Sequence, residues 1–104
     1  MRYLSLFIPV VEGGYTVVIP DFPEIVTEGS TLNEAMDMAE DILSETIEDY
    51  IQEGRSLPIQ SSLEAVTLIA QKEIQGKGVD QTRQPLIQLV SVITQGQHKE
   101  LAYA

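Results

Sequence analysis

The 104-residue chain holds sixteen acidic and six basic side chains, for a net charge of −10, with 43 % hydrophobic residues and no cysteine. That size fits one domain with a modest core, and that composition fits a soluble globular chain rather than a disordered one. A disulfide framework, thiolate chemistry and a Cys- or His-rich metal site are excluded by counting, no apolar run approaches the roughly 20 residues that span a bilayer, and a cytoplasmic protein is expected.

The charge is unevenly placed. Residues 1–60 hold twelve carboxylates against Arg2 and Arg55. Residues 61–104 hold four acids (Glu64, Glu73, Asp80, Glu100) against four bases (Lys72, Lys77, Arg83, Lys99). Such a surface repels phosphate backbones and attracts a basic partner, and no basic stripe for nucleic acid is present.

Arg2 to Val11 is rich in β-branched and aromatic residues and reads as the first strand, alternating in a way that resists a cleavable leader. Its wholly apolar side, Leu4, Leu6, Ile8 and Val10, is expected to face the core. Gly13-Gly14 supplies the positive φ angles of a tight hairpin, so Tyr15 to Ile19 returns antiparallel. Pro20-Asp21-Phe22-Pro23 ends that strand, because proline cannot serve a ladder on its donor side. Asp21 suits such a corner by bonding nearby backbone amides. Ile25-Val26-Thr27 is a short third strand. Gly29-Ser30-Thr31 then leads into a helix, with Thr31 as N-cap and Glu34 reaching back to the cap amide as a capping box.

The helix from about Leu32 to Glu53 has a buried stripe at three- and four-residue spacing: Ala35, Met36, Ala39, Ile42, Leu43, Thr46, Ile47 and Tyr50. Gly54 follows as its C-terminal stop, with Arg55 near the negative end of the dipole. The other face carries Glu34, Asp37, Glu40, Asp41, Glu45, Glu48, Asp49 and Glu53 without one base. Like charges at i,i+4 cost about 0.2–0.5 kcal/mol per pair, and Asp41, Glu45 and Asp49 form such a row. A face maintained against that repulsion is the candidate docking surface, centred on Glu34, Asp37, Asp41, Glu45 and Glu48.

Leu57-Pro58-Ile59 breaks the chain, and Ser61 or Ser62 caps a second helix through roughly Glu73, with Leu63, Val66, Ile69 and Ala70 as its apolar side. Residues 75–84 read as a mobile loop. Leu86 to Thr94 is strongly β-prone and is expected to complete the sheet. The tail from Gln95 is polar. The expected fold is α+β: a three-stranded antiparallel sheet plus a fourth strand, one long helix packed on it and a second short helix, in the order β-β-β-α-α-β. All of it forms one domain over 1–104: a motif-bearing part over 1–60, the second helix, loop and last strand over 61–94, and a tail over 95–104.

The chemistry-bearing residues point away from catalysis. His98 stands alone in the polar tail, with no sequence neighbours to make a nucleophile–base–acid set. Asp21, Glu24 and Glu28 with Glu12 could form a carboxylate site for Mg²⁺ or Mn²⁺, but none lies within a strand interior that would aim them together. No catalytic, cofactor or metal residue is therefore assigned, and no cofactor is expected. Gly13-Gly14 lacks the further glycines, lysine and helix start of a phosphate loop. A binding module remains, with two docking modes: charge complementarity, and pairing through a free sheet edge, which also allows a homo-oligomer, a dimer or tetramer.

One combination of motifs is more specific. Glu12-Gly13-Gly14-Tyr15, then Pro20-Asp21-Phe22-Pro23, then Thr27 to Ala35 with Gly29, Thr31 and Glu34, resembles in order the N-terminal domain of HicB-type antitoxins, over roughly residues 1–60. Glu24 and Ile25 depart from it, standing where that family commonly has Gly and Cys. The resemblance implies a partial RNase H-like fold lacking the nuclease's catalytic set. It also implies a partner, a small basic HicA-type toxin that cleaves mRNA and is neutralised by direct binding. Many members add a C-terminal ribbon-helix-helix or helix-turn-helix domain; the residues after Thr94 offer no room for one, so no direct nucleic-acid binding by this chain and no membrane association are expected. The alternatives are a stand-alone oligomeric domain with another partner or ligand and, most remotely, a metal-dependent nuclease.

Overall fold

The protein is described from a computed structural model, over residues 1–92. Four strands and two helices follow in the order β1 (Arg2–Pro9), β2 (Tyr15–Val18), β3 (Val26–Gly29), α1 (Leu32–Gln52), α2 (Leu63–Glu73) and β4 (Leu86–Ser91). The sheet order is β3-β2-β1-β4 and every pairing is antiparallel. The expected α+β architecture and its fourth strand are both present. Thr94, the expected end of that strand, and the tail from Gln95 with His98 lie outside the described residues.

The hairpin between β1 and β2 turns at Gly13 and Gly14, with φ of 100° and 75°, values a side chain would resist. Register then follows: Phe7 opposes Val17 and Pro9 opposes Tyr15. Pro9 is the last residue of β1, where a missing N–H costs little.

The two faces of β1 are used differently from expectation. Tyr3 and Phe7, on the side containing Ser5 and Pro9, build the main core with Val17, Ile19, Phe22 and Val90 from the sheet side and Ala35, Ala39, Leu43, Ile47 and Tyr50 from α1. Leu6 and Ile8, from the wholly apolar side, join a smaller cluster under α2 with Ala70. Both faces of the strand are covered, so apolarity alone did not identify the one that takes the long helix. The aromatic residues mark it: Tyr3 and Phe7 lie on the side that takes α1, and Tyr3 meets Phe22 edge-on there.

Phe22 is fully buried at the end of β2 and meets Tyr3 edge-on, centroids 4.8 Å apart, and Tyr50 at 5.3 Å. The proline-rich corner is thus a plug: its amide and carbonyl groups close local turns (Phe22 N–H to Ile19 O, Ile25 N–H to Phe22 O) while its ring ties β1 to the end of α1.

At the start of α1 the Glu34 amide donates to Thr31 Oγ1 at 3.1 Å. The Glu34 carboxylate accepts from the Ser30 amide rather than from that of Thr31, one residue further back than the capping-box pattern placed it. Gly29, the last residue of β3, lies against this first turn; a Cβ there would stand 2.6 Å from Ala35 Cα. Only glycine permits α1 to approach the sheet this closely. The buried stripe of α1 is Ala35, Ala39, Leu43, Ile47 and Tyr50, flanked by half-buried Met36 and Ile42, as its spacing predicts. Helix α2 is capped by Ser62, whose Oγ accepts from the Ala65 amide, and buries Val66 and Ala70, while Leu63 stays 57 % exposed.

Residues 75–84, which composition reads as a loop, are docked on the β1–β2 hairpin. Val79 bridges Val10, the Asp80 amide donates to Pro9 O, and the Val11 amide donates to Gly78 O. Arg83 donates to the carbonyls of Val10 and Gly14 and lies 5.2 Å from the Tyr15 ring centroid. This strap holds the β1–β2 hairpin from outside, a tertiary use of a segment whose local composition signals only a loop.

Candidate functional site: an acidic helix face beside a sheet edge

Helix α1 comes closest to the sheet at β3, the outer strand of its half, where Gly29 meets its first turn. Its solvent face therefore adjoins an open strand edge. Asp37, Asp41, Glu45 and Glu48 are all exposed, and among the described residues none of them is in an ion pair. Glu34 is also exposed but is engaged in capping. Glu40 differs from its neighbours: it is half-buried, and desolvation followed by the charges of Asp37 and Asp41 raises its pKa.

Within this acidic face lies an apolar feature that charge counting missed. Met38 is 44 % exposed and Val26 of β3 is 66 % exposed, and together with Thr16, Thr27 and Glu28 they line an open groove of about 420 Å³. Glu34, Asp41 and Glu45 stand at −4, +3 and +7 from Met38, so they share its helix face. A desolvatable apolar centre with a charged rim is the usual anatomy of a protein-binding patch. The available signal was Met38 itself, an apolar residue lying off the buried stripe on the charged side of the helix.

Gly13, Gly14, Tyr15, Gly29 and Thr31 hold one end of the sheet together. There, Glu12, Tyr15, Glu28 and Glu34 line a shallow cleft of about 230 Å³. Pro20, Asp21 and Pro23 mark the other end of β2. Asp21 does not serve the turn locally as its position beside Pro20 suggested. Its Oδ2 accepts from the Ser61 amide at 3.0 Å and its Oδ1 from the Ser61 hydroxyl, forty residues away. Beside it, Tyr3 donates to Pro58 O at 2.8 Å, and burial followed by the charge of Asp21 raises the Tyr3 pKa.

Glu24 accepts from the Tyr50 hydroxyl at 2.8 Å, while Arg55 lies 3.7 Å over the Tyr50 ring and pairs with Glu53 at 3.1 Å. A hydrogen bond from its own backbone amide, then that from Tyr50, lowers the Glu24 pKa. The four carboxylates weighed as a metal set are therefore not brought together: Asp21 and Glu24 are committed to Ser61 and Tyr50, and Glu12 and Glu28 line the cleft at the hairpin. Among the described residues no cluster of three or more His, Cys, Asp or Glu is placed to hold a metal ion, and no helix is long and apolar enough to cross a membrane.

Comparison with known proteins agrees with this arrangement. A family model described as the HicB-like antitoxin of bacterial toxin-antitoxin systems matches residues 7–71. Antitoxin HicB 1 of Photorhabdus laumondii is 44 % identical over 59 residues, covering 57 % of this chain and 38 % of that protein. Antitoxin HicB of Escherichia coli K12 is 40 % identical over 63 residues, covering 61 % of this chain and 46 % of that one. The chain thus matches less than half the length of these relatives. Among solved structures, a toxin-antitoxin complex from Streptococcus pneumoniae superposes with a TM-score of 0.74 at 26 % identity, over 89 % of this chain and 69 % of that one. The Burkholderia pseudomallei antitoxin HicB shares the fold, with a TM-score of 0.67 at 23 % identity, over 89 % and 62 % of the two chains. With a family model spanning more than half of its length and the same fold in two solved relatives, this chain belongs to the HicB-like antitoxin family.

Proposed function

We propose that the chain is the toxin-binding part of an antitoxin, acting in the cytoplasm without catalysis, and that it neutralises a small basic HicA-type mRNA-cleaving toxin by direct contact. The observation that carries this reading is the base-free face of α1, with Asp37, Asp41, Glu45 and Glu48 exposed, on the helix whose Met38 lines an open groove with Val26. A basic protein is steered to such a face by its charge and held there by desolvating the apolar centre. Membership of the antitoxin family and the likeness to a chain of a toxin-antitoxin complex support it.

The test is co-expression with a small basic HicA-like toxin, followed by affinity measurement at increasing salt. Binding that weakens as salt rises is expected, because exposed charges are screened over about 10 Å at 0.1 M. Replacing Asp41, Glu45 and Glu48 together with lysine is expected to abolish the complex while leaving the fold intact. Undiminished binding by that triple variant would remove the acidic face from the proposal.

A further inference from the structure

The two outer strands of the sheet are protected to different degrees. The β3 edge is four residues long, carries Glu28 and runs beside the acidic helix. The β4 edge is six residues long, Leu86-Ile87-Gln88-Leu89-Val90-Ser91, with no charge, proline or glycine inside it. Among the described residues its outer side pairs with no strand. Natural sheets guard such edges with charge, proline or bulges, and an uncharged apolar edge is a template for another strand.

The strand reads nearly the same in both directions about Gln88. An antiparallel second copy related by a two-fold axis through Gln88, perpendicular to the sheet, would set Gln88 against Gln88, Ile87 against Leu89, and Leu86 against Val90. Residues directly opposite share a face, so every apolar side chain meets an apolar one. Leu89, 53 % exposed and beside half-buried Leu4 on the α2 face, would gain cover it lacks in one chain. Gln88 is exposed, and a primary amide is its own complement, donor to acceptor, across a two-fold axis.

Charge selects the same edge. Two chains of −10 repel wherever their acidic halves meet. Residues 61–92 carry Glu64, Glu73 and Asp80 against Lys72, Lys77 and Arg83, so the part of the chain that leads into β4 is neutral. The acidic helix α1 lies over the other outer strand, β3. We propose that β4 is a homodimer interface, at which two chains join into one eight-stranded antiparallel sheet in the order β3-β2-β1-β4-β4-β1-β2-β3. Both acidic faces then remain outward and open. This arrangement goes beyond the toxin-binding reading and does not depend on it.

The full chain is expected to sediment at twice its 11.5 kDa mass at micromolar concentration, without any toxin. Leu89→Lys places a charge opposite Ile87 of the other copy and is expected to weaken the dimer at least about tenfold. Its circular dichroism spectrum should be unchanged, because the side chain is already exposed in the monomer.

Cysteine crosslinking tests the register, since the native chain has none. Opposed residues in antiparallel strands have Cα atoms about 4.5–5.5 Å apart, within disulfide range. Gln88→Cys is therefore expected to crosslink under mild oxidation, and Val26→Cys on the opposite edge is not. A monomer at all concentrations, a Leu89→Lys dimer as tight as the parent, or crosslinking through Val26→Cys in place of Gln88→Cys would each overturn the assignment.

Discussion

Asp21 and Ser61 are joined by two hydrogen bonds across forty residues of sequence, one from the Ser61 amide and one from its hydroxyl to the two carboxylate oxygens. The bond fastens the segment between α1 and α2 to the corner after β2. Charge-assisted hydrogen bonds contribute about 1.5–3 kcal/mol each, with partial solvent exposure reducing the value. Asp21→Ala is expected to lower unfolding free energy by about 1.5–3 kcal/mol in urea titrations. Ser61→Ala should cost less, because the amide bond survives. The double variant should be no worse than Asp21→Ala alone, the signature of one shared interaction.

Phe22 separates packing from corner geometry. Its ring is fully buried between Tyr3 and Tyr50, so Phe22→Ala leaves a cavity at the junction of β1 and α1. A loss of about 3–5 kcal/mol is expected, read as a fall in the urea midpoint. Phe22→Leu should retain most of the stability.

Gly29 and Gly13 make a second contrast. Gly13→Ala meets no atom within 4 Å and costs only the strain of its positive φ, about 1–2 kcal/mol. Gly29→Ala drives a methyl group into the backbone of Ala35 and Glu34, which cannot yield without moving α1. We expect the larger loss at Gly29, together with slower, weaker protection of the first-turn amides of α1 in hydrogen exchange.

Asp80 sets an acid limit on the strap. Hydrogen bonds from the Thr82 hydroxyl, then the Thr82 amide, then Arg83 lower its pKa to about 2. A carboxylate with a folded pKa below its unfolded value, about 3.9, adds stability above the unfolded value and loses it as pH falls toward the folded one. The stability difference between the parent and Asp80→Asn should therefore be constant above about pH 5 and shrink between about pH 4 and 2. A melting-temperature series over pH 2–7 reads it directly.

Glu40 has the opposite sign. Its raised pKa means that the ionised form is disfavoured in the folded chain, so its penalty is full at neutral pH and disappears as pH falls through the folded value. Glu40→Gln is expected to stabilise the protein by a few tenths of a kcal/mol at pH 7, about the size of one removed like-charge pair, and to lose that advantage in acid. Thermal melts at pH 7 and pH 4 compare the two.

Local pattern determined much of this protein. The Gly13-Gly14 turn, the Thr31 and Ser62 caps and the three- and four-residue stripe of α1 each depend on residues within a turn or two of one another, and all appear as their spacing requires. The bases missing from the exposed side of α1 were equally legible. What only the tertiary structure decided involves distant residues: which face of β1 takes α1, the bond from Asp21 to Ser61 rather than to its own turn, and the docking of residues 75–84 on the hairpin. The Val26–Met38 groove belongs with these, since Met38 stands off the buried stripe in sequence but only the packing sets Val26 beside it. Backbone propensity and capping are settled by neighbours in sequence. The partner of a side chain forty residues away depends on how the layers pack, which no short window contains.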